Sequence, residues 1–320
     1  MKSLALCLSK DKMDIGEIMK LTKILSLLLF SNMVMAGGDI KSVIESNAYN
    51  ATNQAFSYGN SAIESWARDN ISSLRLIELE TKVRDSAKPY FRLLSVFELT
   101  GNDHNALLSQ FSFSTFDDRE TLNAGIVYRT FNSTKTILYG TNFFFDKQLH
   151  TGHQRLGVGF EVKSSAYDFN LNFYEAQSDR HQIGGVPEVA ASGYDAEIGM
   201  AMPYLPWAKL YYKTYQWNSD TLDIKNGENL SIYMEPTSKL SIEAGRQNDS
   251  MTAGVKSYIK FNYIICCGDE NSRPSLFTVS SKAFNYAPLE NRRMYEKVRR
   301  ENNIIVLSGG GGVDVTASGY

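Results

Sequence analysis

The chain has 320 residues and a formal net charge of -2, with its Lys and Arg residues dispersed along it. This balance excludes a strongly basic nucleic-acid-binding surface, so nucleic acid is not an expected partner. Aromatic residues make up 12% of the chain, with 18 Tyr and 17 Phe against only 7 Pro. That composition favours half-polar, half-apolar strands over a helical bundle.

The first element is an apolar run from Ile24 to Met35, which two lysines precede and a small-residue pattern at Ala36 follows. Such an order is typical of a secretory signal peptide, and the run is short for a bilayer span. We predict a signal peptide over residues 1–36, with a retained anchor helix as the alternative. Because residues 1–18 are unusually acidic for such a leader, Met19 is a second candidate start.

Residues 37–71 change to helical spacing, with Ile40, Val43 and Ile44 followed by several alanines. Apolar residues three and four positions apart share one face of a helix. The pattern predicts a short periplasmic helical segment. Since the periodicity is weak, a loosely ordered linker is the alternative.

From Leu74 onward the pattern alternates with the period of a β-strand, in about twelve segments that end near Ile264. Strand side chains face opposite sides in turn, so each segment has one apolar and one polar face. Together with the export signal and the long strands, this predicts an all-β fold, an antiparallel transmembrane β-barrel of about 12 strands over residues 72–265. A secreted soluble sandwich adhesin is a weaker alternative, because alternation alone does not reveal lipid.

The last strand illustrates how the register is chosen. A lysine that faces lipid at the bilayer midplane costs roughly 2 to 4 kcal/mol, so the face with Lys256 and Lys260 is expected to point into the lumen. The opposite face then places Phe261 and Tyr263 in a lipid-facing aromatic girdle.

The connections indicate the orientation of the barrel. An even number of strands brings both ends of the barrel to one side, which for an exported chain is the periplasm. The long polar connections, residues 147–153, 178–193 and 218–227, all follow odd-numbered strands, while the intervening ones are short. This pattern predicts that the long connections lie outside the cell.

The sequence contains few candidate catalytic or metal-binding residues. The four His fall in predicted connections without metal-ligand spacing, and no nucleophile-elbow pattern is present, so we expect neither an enzyme nor a cofactor or metal site. Cys266 and Cys267 are expected to be two separate thiols, because a disulfide between neighbours needs strained geometry.

Two motifs carry a resemblance to a known family. Residues 140–146 followed by 153–161 resemble the barrel signature of the intimin/invasin family, the inverse autotransporters of type V secretion. Residues 295–306 are similar to that family's linker after the barrel, and the matching positions are Val298, Arg300, Asn302, Asn303 and Ile304. The resemblance covers roughly residues 72–307.

The resemblance implies a twelve-stranded outer-membrane barrel whose following linker, residues 266–308 here, passes back through the pore to expose a C-terminal passenger. It implies outer-membrane lipid, the barrel-assembly machinery and periplasmic chaperones as partners, and a host or cell-surface receptor only where a passenger exists. A homodimer stays open. Lumen side chains would hold the linker by hydrogen bonds and opposite charges, or else line an ion-selective channel: Arg129, Arg155, Glu161, Asp168, Lys256 and Lys260.

Residues 309–320 form a Gly-rich stub where a passenger would begin, and no adhesive domain is recognisable there. The favoured function is a translocator and anchor that threads its own C-terminal segment to the cell surface, as in intimin/invasin-type adhesins. A passenger-less, porin-like outer-membrane channel is the alternative. The two differ in the C-terminus, which is extracellular only in the translocator.

Overall fold

The structure is a computed structural model that describes residues 64–65, 67, 69–84, 89–219, 222–250, 254–267, 278–284 and 287–308. The signal-peptide prediction, most of the predicted helical segment 37–71 and the stub 309–320 lie outside the described residues. Residues 64, 65, 67, 69 and 70 are helical. Across the described ranges, no helix has the length and apolar character needed to cross a membrane.

Twelve antiparallel strands pair in sequence and close into a barrel, as the sequence predicts. They are β1 (Leu74–Arg84), β2 (Tyr90–Gly101), β3 (Asn105–Phe116), β4 (Arg119–Phe131), β5 (Ile137–Gln148), β6 (Gln154–Ser164), β7 (Tyr167–Ala176), β10 (Ser192–Met202), β11 (Leu205–Ser219), β12 (Leu222–Met234), β13 (Leu240–Asp249) and β14 (Lys256–Cys266). β1 closes the barrel against β14, so every barrel strand has two neighbours and the sheet has no open edge, as a strand in lipid requires.

Three short strands form a separate sheet in the order β15, β9, β8. β8 (His181–Ile183) and β9 (Val186–Ala190) make a hairpin in the connection between β7 and β10, and β15 (Val306–Ser308) adds to the β9 edge. The predicted polar connection 178–193 therefore contains a hairpin that the sequence pattern does not reveal. The alternation is too short there to stand out from a polar connection.

The outer face of the barrel wall is apolar and its inner face carries charges, which is the reverse of the polarity of a soluble sandwich. In β6, Val158, Phe160 and Val162 face outward and are 40%, 50% and 39% exposed, while Arg155 and Glu161 face the lumen and are 0% and 2% exposed. Charged side chains are therefore inside and apolar ones outside. This arrangement is stable only where the outer face contacts an apolar medium, which favours the membrane barrel over the soluble sandwich.

The barrel has two distinct ends. The first end, where β1 begins and β14 ends, carries the connections 102–104, 132–136, 165–166, 203–204 and 235–239. The second end carries the connections 85–89, 117–118, 149–153, 177–191, 220–221 and 250–255. The longest connection of the barrel, with the β8–β9 hairpin, therefore lies at the second end.

Two expectations are wrong. The predicted long loop 218–227 is mostly strand, because β11 and β12 stay paired from Trp217↔Lys225 to Ser219↔Leu222 and only residues 220–221 connect them; the polar residues that suggested a loop continue the ladder. Cys266 and Cys267 are joined by a disulfide rather than being separate thiols. Cys267 has a φ of 73°, in the left-handed region that few residues other than glycine adopt.

Candidate functional site

The lumen of the barrel is occupied by the chain itself. We call residues 287–308 the lumen segment. At the first end, the Leu289 amide donates a hydrogen bond to the Lys135 carbonyl at 2.6 Å, in the β4–β5 connection. At the second end, the segment finishes as β15, paired with β9. The lumen segment therefore runs through the barrel from the first end to the second.

The segment crosses the lumen with little regular structure. After a short 3-10 helix, Asn291–Met294, it is extended or irregular until β15 begins at Val306. Extended backbone spans roughly 3.3 Å per residue, so the residues between these two elements are sufficient for a hydrocarbon core about 30 Å thick. Non-helical backbone at membrane depth is tolerated only where protein or water satisfies its polar groups.

Side chains of the barrel wall form hydrogen bonds with the backbone N–H and C=O groups of the lumen segment. Arg129 donates to the carbonyls of Met294 and Glu296 at 2.7 and 2.5 Å, and the Gln110 side chain accepts from the Val298 amide at 2.9 Å. Further wall donors reach carbonyls of the segment: Asn172 to Arg299 at 3.0 Å, Arg155 to Glu301 at 2.8 Å, Asn123 to Asn302 at 2.7 Å and Gln148 to Ile304 at 3.3 Å. The wall thus replaces the partners that a helix or sheet would supply.

A deeply buried group of charges, which we call the Asp146 centre, is made of Asp146, Arg155 and Arg300. Arg300 donates to the two carboxylate oxygens at 3.0 and 2.6 Å, and Arg155 donates to Oδ2 at 3.0 and 2.8 Å. The side chains of Asp146, Arg155 and Arg300 are 0%, 0% and 1% exposed. The Arg300 guanidinium also lies 4.3 Å from the centroid of the Phe144 ring. One wall carboxylate therefore holds one wall cation and one cation of the lumen segment.

The other cations of the segment meet acidic wall residues in the same way. The segment has five cationic side chains against three acidic ones, a net charge of +2. Arg299 donates to Glu197 at 2.5 and 2.9 Å and lies within 3.4 Å of Glu243. Lys297 bonds Glu78, Glu80 and Asn262, and Arg293 bonds Asp168. The wall and the segment are complementary in charge.

A glycine makes room for the Asp146 centre. A Cβ atom placed on Gly157 would lie 3.0 Å from Nη2 of Arg300, so any larger residue would displace the guanidinium.

The six predicted lumen residues divide by what they touch. Arg129 and Arg155 contact the segment directly, and Asp168 does so through Arg293 while it also bonds Lys209 at 2.6 Å. Two of the other three pair with wall residues. Glu161 pairs with Arg129, Lys260 pairs with Glu243 at 2.8 Å, and Lys256 forms no ion pair with any residue that the structure describes.

The predicted linker positions all lie inside the barrel. Val298, Arg300, Asn302, Asn303 and Ile304 are 3%, 7%, 6%, 5% and 0% exposed, respectively. Asn303 accepts a hydrogen bond from the Ser114 hydroxyl at 3.0 Å. The two girdle positions are on the outer face of β14, where Phe261 is 38% exposed and Tyr263 is partly buried.

Sequence reasoning missed most of the segment's partners. Asp146, Glu197 and Glu243 each bind an arginine of the segment, and the sequence does not point to any of them as its partner. The alternation of side chains along each strand was the only sequence signal for these three residues. Because they alternate with lipid-facing residues in their strands, they are expected to face the lumen. The alternation shows that a side chain faces the lumen and does not show which residue it meets.

The second end has its own polar cluster around the hairpin. Arg119 donates to both carboxylate oxygens of Glu188 on β9 at 2.9 and 2.7 Å. The rings of His153 and His181 stack with centroids 4.7 Å apart. Burial, and then the neighbouring His181, lowers the pKa of His153 to about 4, so this imidazole is neutral at pH 7. In the described part of the chain, no cluster of three or more His, Cys, Asp or Glu side chains is placed to hold a metal ion.

Arg129 offers a test of how firmly the wall holds the segment. In Arg129→Lys the charge beside Glu161 remains, but one ammonium cannot reach Glu161 and both carbonyls of the segment. We expect the free energy of unfolding to fall by about 1 to 3 kcal/mol, the cost of losing hydrogen bonds from a charged donor. The midpoint of the heat-induced gel shift measures it. Exposed Arg180 gives the matched control, Arg180→Lys, for which no change is expected.

The sequence of the chain matches a known protein family and is similar to two known proteins. Residues 32–302 match the family described as inverse autotransporter, β-domain. Invasin of Yersinia enterocolitica is 34% identical over 114 residues, which are 34% of this chain and 13% of invasin. The inverse autotransporter adhesin YeeJ of Escherichia coli (strain K12) is 31% identical over 120 residues, which are 35% of this chain and 5% of YeeJ. The chain thus spans only a small part of the length of these two relatives.

A solved structure supports the fold. A chain from a study of the in-meso crystallization of membrane proteins superposes with a TM-score of 0.59 at 16% identity, over 73% of this chain and 100% of that one. The family match includes all twelve barrel strands and the lumen segment as far as Asn302. The chain belongs to the inverse autotransporter β-domain family.

Proposed function

We propose that the barrel is an outer-membrane translocator and anchor, with the second end outside the cell and the lumen segment leading the C-terminal part of the chain to the surface. A location in the outer membrane is supported by the closed barrel and by the family. The orientation is supported by the β8–β9 hairpin at the second end, because outer-membrane barrels carry their longer connections outside.

One observation carries the proposal: the lumen segment enters at the first end, ends at the second, and has four cations that each meet a wall carboxylate. A loosely trapped tail would not place Arg293, Lys297, Arg299 and Arg300 each against a wall carboxylate. Buried ion pairs that lose a partner are strongly destabilised. These pairings support a segment that is a built part of the barrel.

The alternative, an open porin-like channel, is disfavoured by the space that remains. At the first end a cavity of about 1330 Å³ lies beside the segment, lined by residues that include Trp207, Tyr211 and Arg292. Deeper in the lumen, the cavity between the segment and the strands β1–β3 and β10–β14 has only about 100 Å³. The cavity beside the segment is therefore much smaller deep in the lumen than at the first end, which suits an anchor better than a channel.

The proposal is tested by the accessibility of the C-terminus. An epitope tag is placed after Tyr320 and, in a second variant, after Gly38 as a control, and intact cells are probed with antibody and protease. We expect surface labelling of the C-terminal tag alone. Labelling of neither tag on cells whose barrel is inserted, as judged by heat-modifiable migration, would overturn the proposal.

No catalytic role is proposed for this barrel. The relative YeeJ is named an adhesin, and for this chain the proposal is restricted to translocation and anchoring.

A further inference from the structure

The lumen segment changes character at the second end. Residues 287–303 are held by charges and hydrogen bonds together with three separated apolar side chains, Leu289, Met294 and Val298, that pack against the wall. Residues 304–307, by contrast, are four consecutive apolar residues. Ile304, Ile305, Val306 and Leu307 are 0%, 0%, 4% and 0% exposed. Four apolar side chains this deeply buried require an apolar surface that fits them.

The barrel provides that surface as a ring of side chains, which we call the collar: Tyr174, Ala176, Ala190, Ala191, Tyr215 and Trp217. Ile305 and Leu307 pack with the wall residues Trp217, Tyr215, Tyr174 and Ala191. Ile304 and Val306, on the opposite side of the extended chain, pack with Ala190 and Ala176. Trp217 and Tyr215 are 0% and 1% exposed, so these rings are covered when the four residues are in place.

The backbone docks in addition to the side chains. β15 joins the edge of β9 with Val306 opposite Ala190 and Leu307 opposite Val189, and the Ala191 amide donates to the Ile305 carbonyl at 2.8 Å. The β9 edge is itself fixed, since β8 pairs with its other side and Arg119 clamps Glu188. An added strand gains main-chain hydrogen bonds from the edge and specificity from alternate side chains.

We propose that β9 and the collar around Trp217 form a docking site for residues 304–307, which stops the chain at the end of export and seals the outer mouth of the barrel. The inference rests on the proposed translocator function and deepens it. Residues 295–303 include charged and amide side chains suited to an aqueous lumen, while residues 304–307 are the part that gains by leaving water. An apolar constriction also blocks ions by excluding water.

The first experiment traps the docked register in the full chain. Paired residues on neighbouring strands have Cα atoms about 4.5 to 5.5 Å apart, within the range for a disulfide. The double variant Ala190→Cys with Val306→Cys is expected to crosslink in oxidised intact cells. The control pair, Gln182→Cys with Val306→Cys, places the second cysteine on β8, which is not adjacent to β15, and should not crosslink.

The second experiment removes the apolar contacts and leaves the barrel wall unaltered. In Ile305→Ser combined with Leu307→Ser, we expect at least a several-fold rise in ion leak across planar bilayers and, with the cysteine pair present, a loss of most crosslinking. Val279→Ser is the matched control, because Val279 is 69% exposed. Trp217→Ala tests the same contact from the wall side.

The outcomes separate the two ideas. Suppose that the C-terminal tag is labelled at the surface, and that the double serine variant shows unchanged ion leak and unchanged crosslinking. That result would overturn the docking site and leave the translocator intact. Absence of surface labelling in the unaltered chain would instead overturn the translocator. Since the serine substitutions are in the segment, a fully heat-modifiable barrel shows that any leak does not come from misfolding.

Discussion

Asp146→Asn is expected to lower the free energy of unfolding by about 3 to 5 kcal/mol, the cost of breaking a buried ion pair by removing one partner. Both Arg155 and Arg300 bond this carboxylate, and their side chains are 0% and 1% exposed. A neutral amide leaves two guanidinium groups close together without a counter-charge. The urea midpoint of the heat-modifiable band measures the loss.

A control substitution and a truncated chain test whether the predicted loss of stability is specific to the contact between Asp146 and the lumen segment. Asp103 lies exposed in the β2–β3 connection at the first end, and Asp103→Asn should change the stability by less than about 0.5 kcal/mol, as surface substitutions usually do. In a chain truncated after Glu290, Arg300 is gone and water enters the lumen, so Asp146→Asn should cost much less. Equal costs in the two backgrounds would show that Asp146 does not hold the lumen segment.

Truncation after Glu290 is expected to raise the single-channel conductance in planar bilayers several-fold. The truncation removes the five cationic side chains of the lumen segment and the residues that fill the second end. Twelve-stranded barrels are wider than the eight-stranded ones whose interiors side chains can fill. The emptied lumen should therefore conduct, and its unpaired wall carboxylates should make it prefer cations.

The matched control is truncation after Ser308, which keeps the whole lumen segment and removes only residues 309–320. This variant should conduct no more than the full chain. If truncation after Glu290 also left the conductance unchanged, the lumen would already be open, and the porin-like alternative would replace the anchor.

Strand alternation in the sequence predicts the barrel because it is a local property. Between Leu74 and Ile264, apolar side chains recur at every second position on the lipid-facing side, while the lumen-facing positions hold the buried charged side chains together with some apolar ones. The direction of each side chain follows from the pleat alone. The same reasoning failed at residues 218–227, where polarity on both faces of the ladder resembles a loop.

The sequence by itself determined the fold class, the family and the region of the chain that follows the barrel, since each depends on local period or on motifs in order. Only the tertiary structure decided which side chains hold that region. Asp146 and Arg300 are 154 positions apart, and β15 meets β9 across more than a hundred residues. No local pattern encodes such a pairing, because it depends on closure of the barrel and on the path of the segment within it.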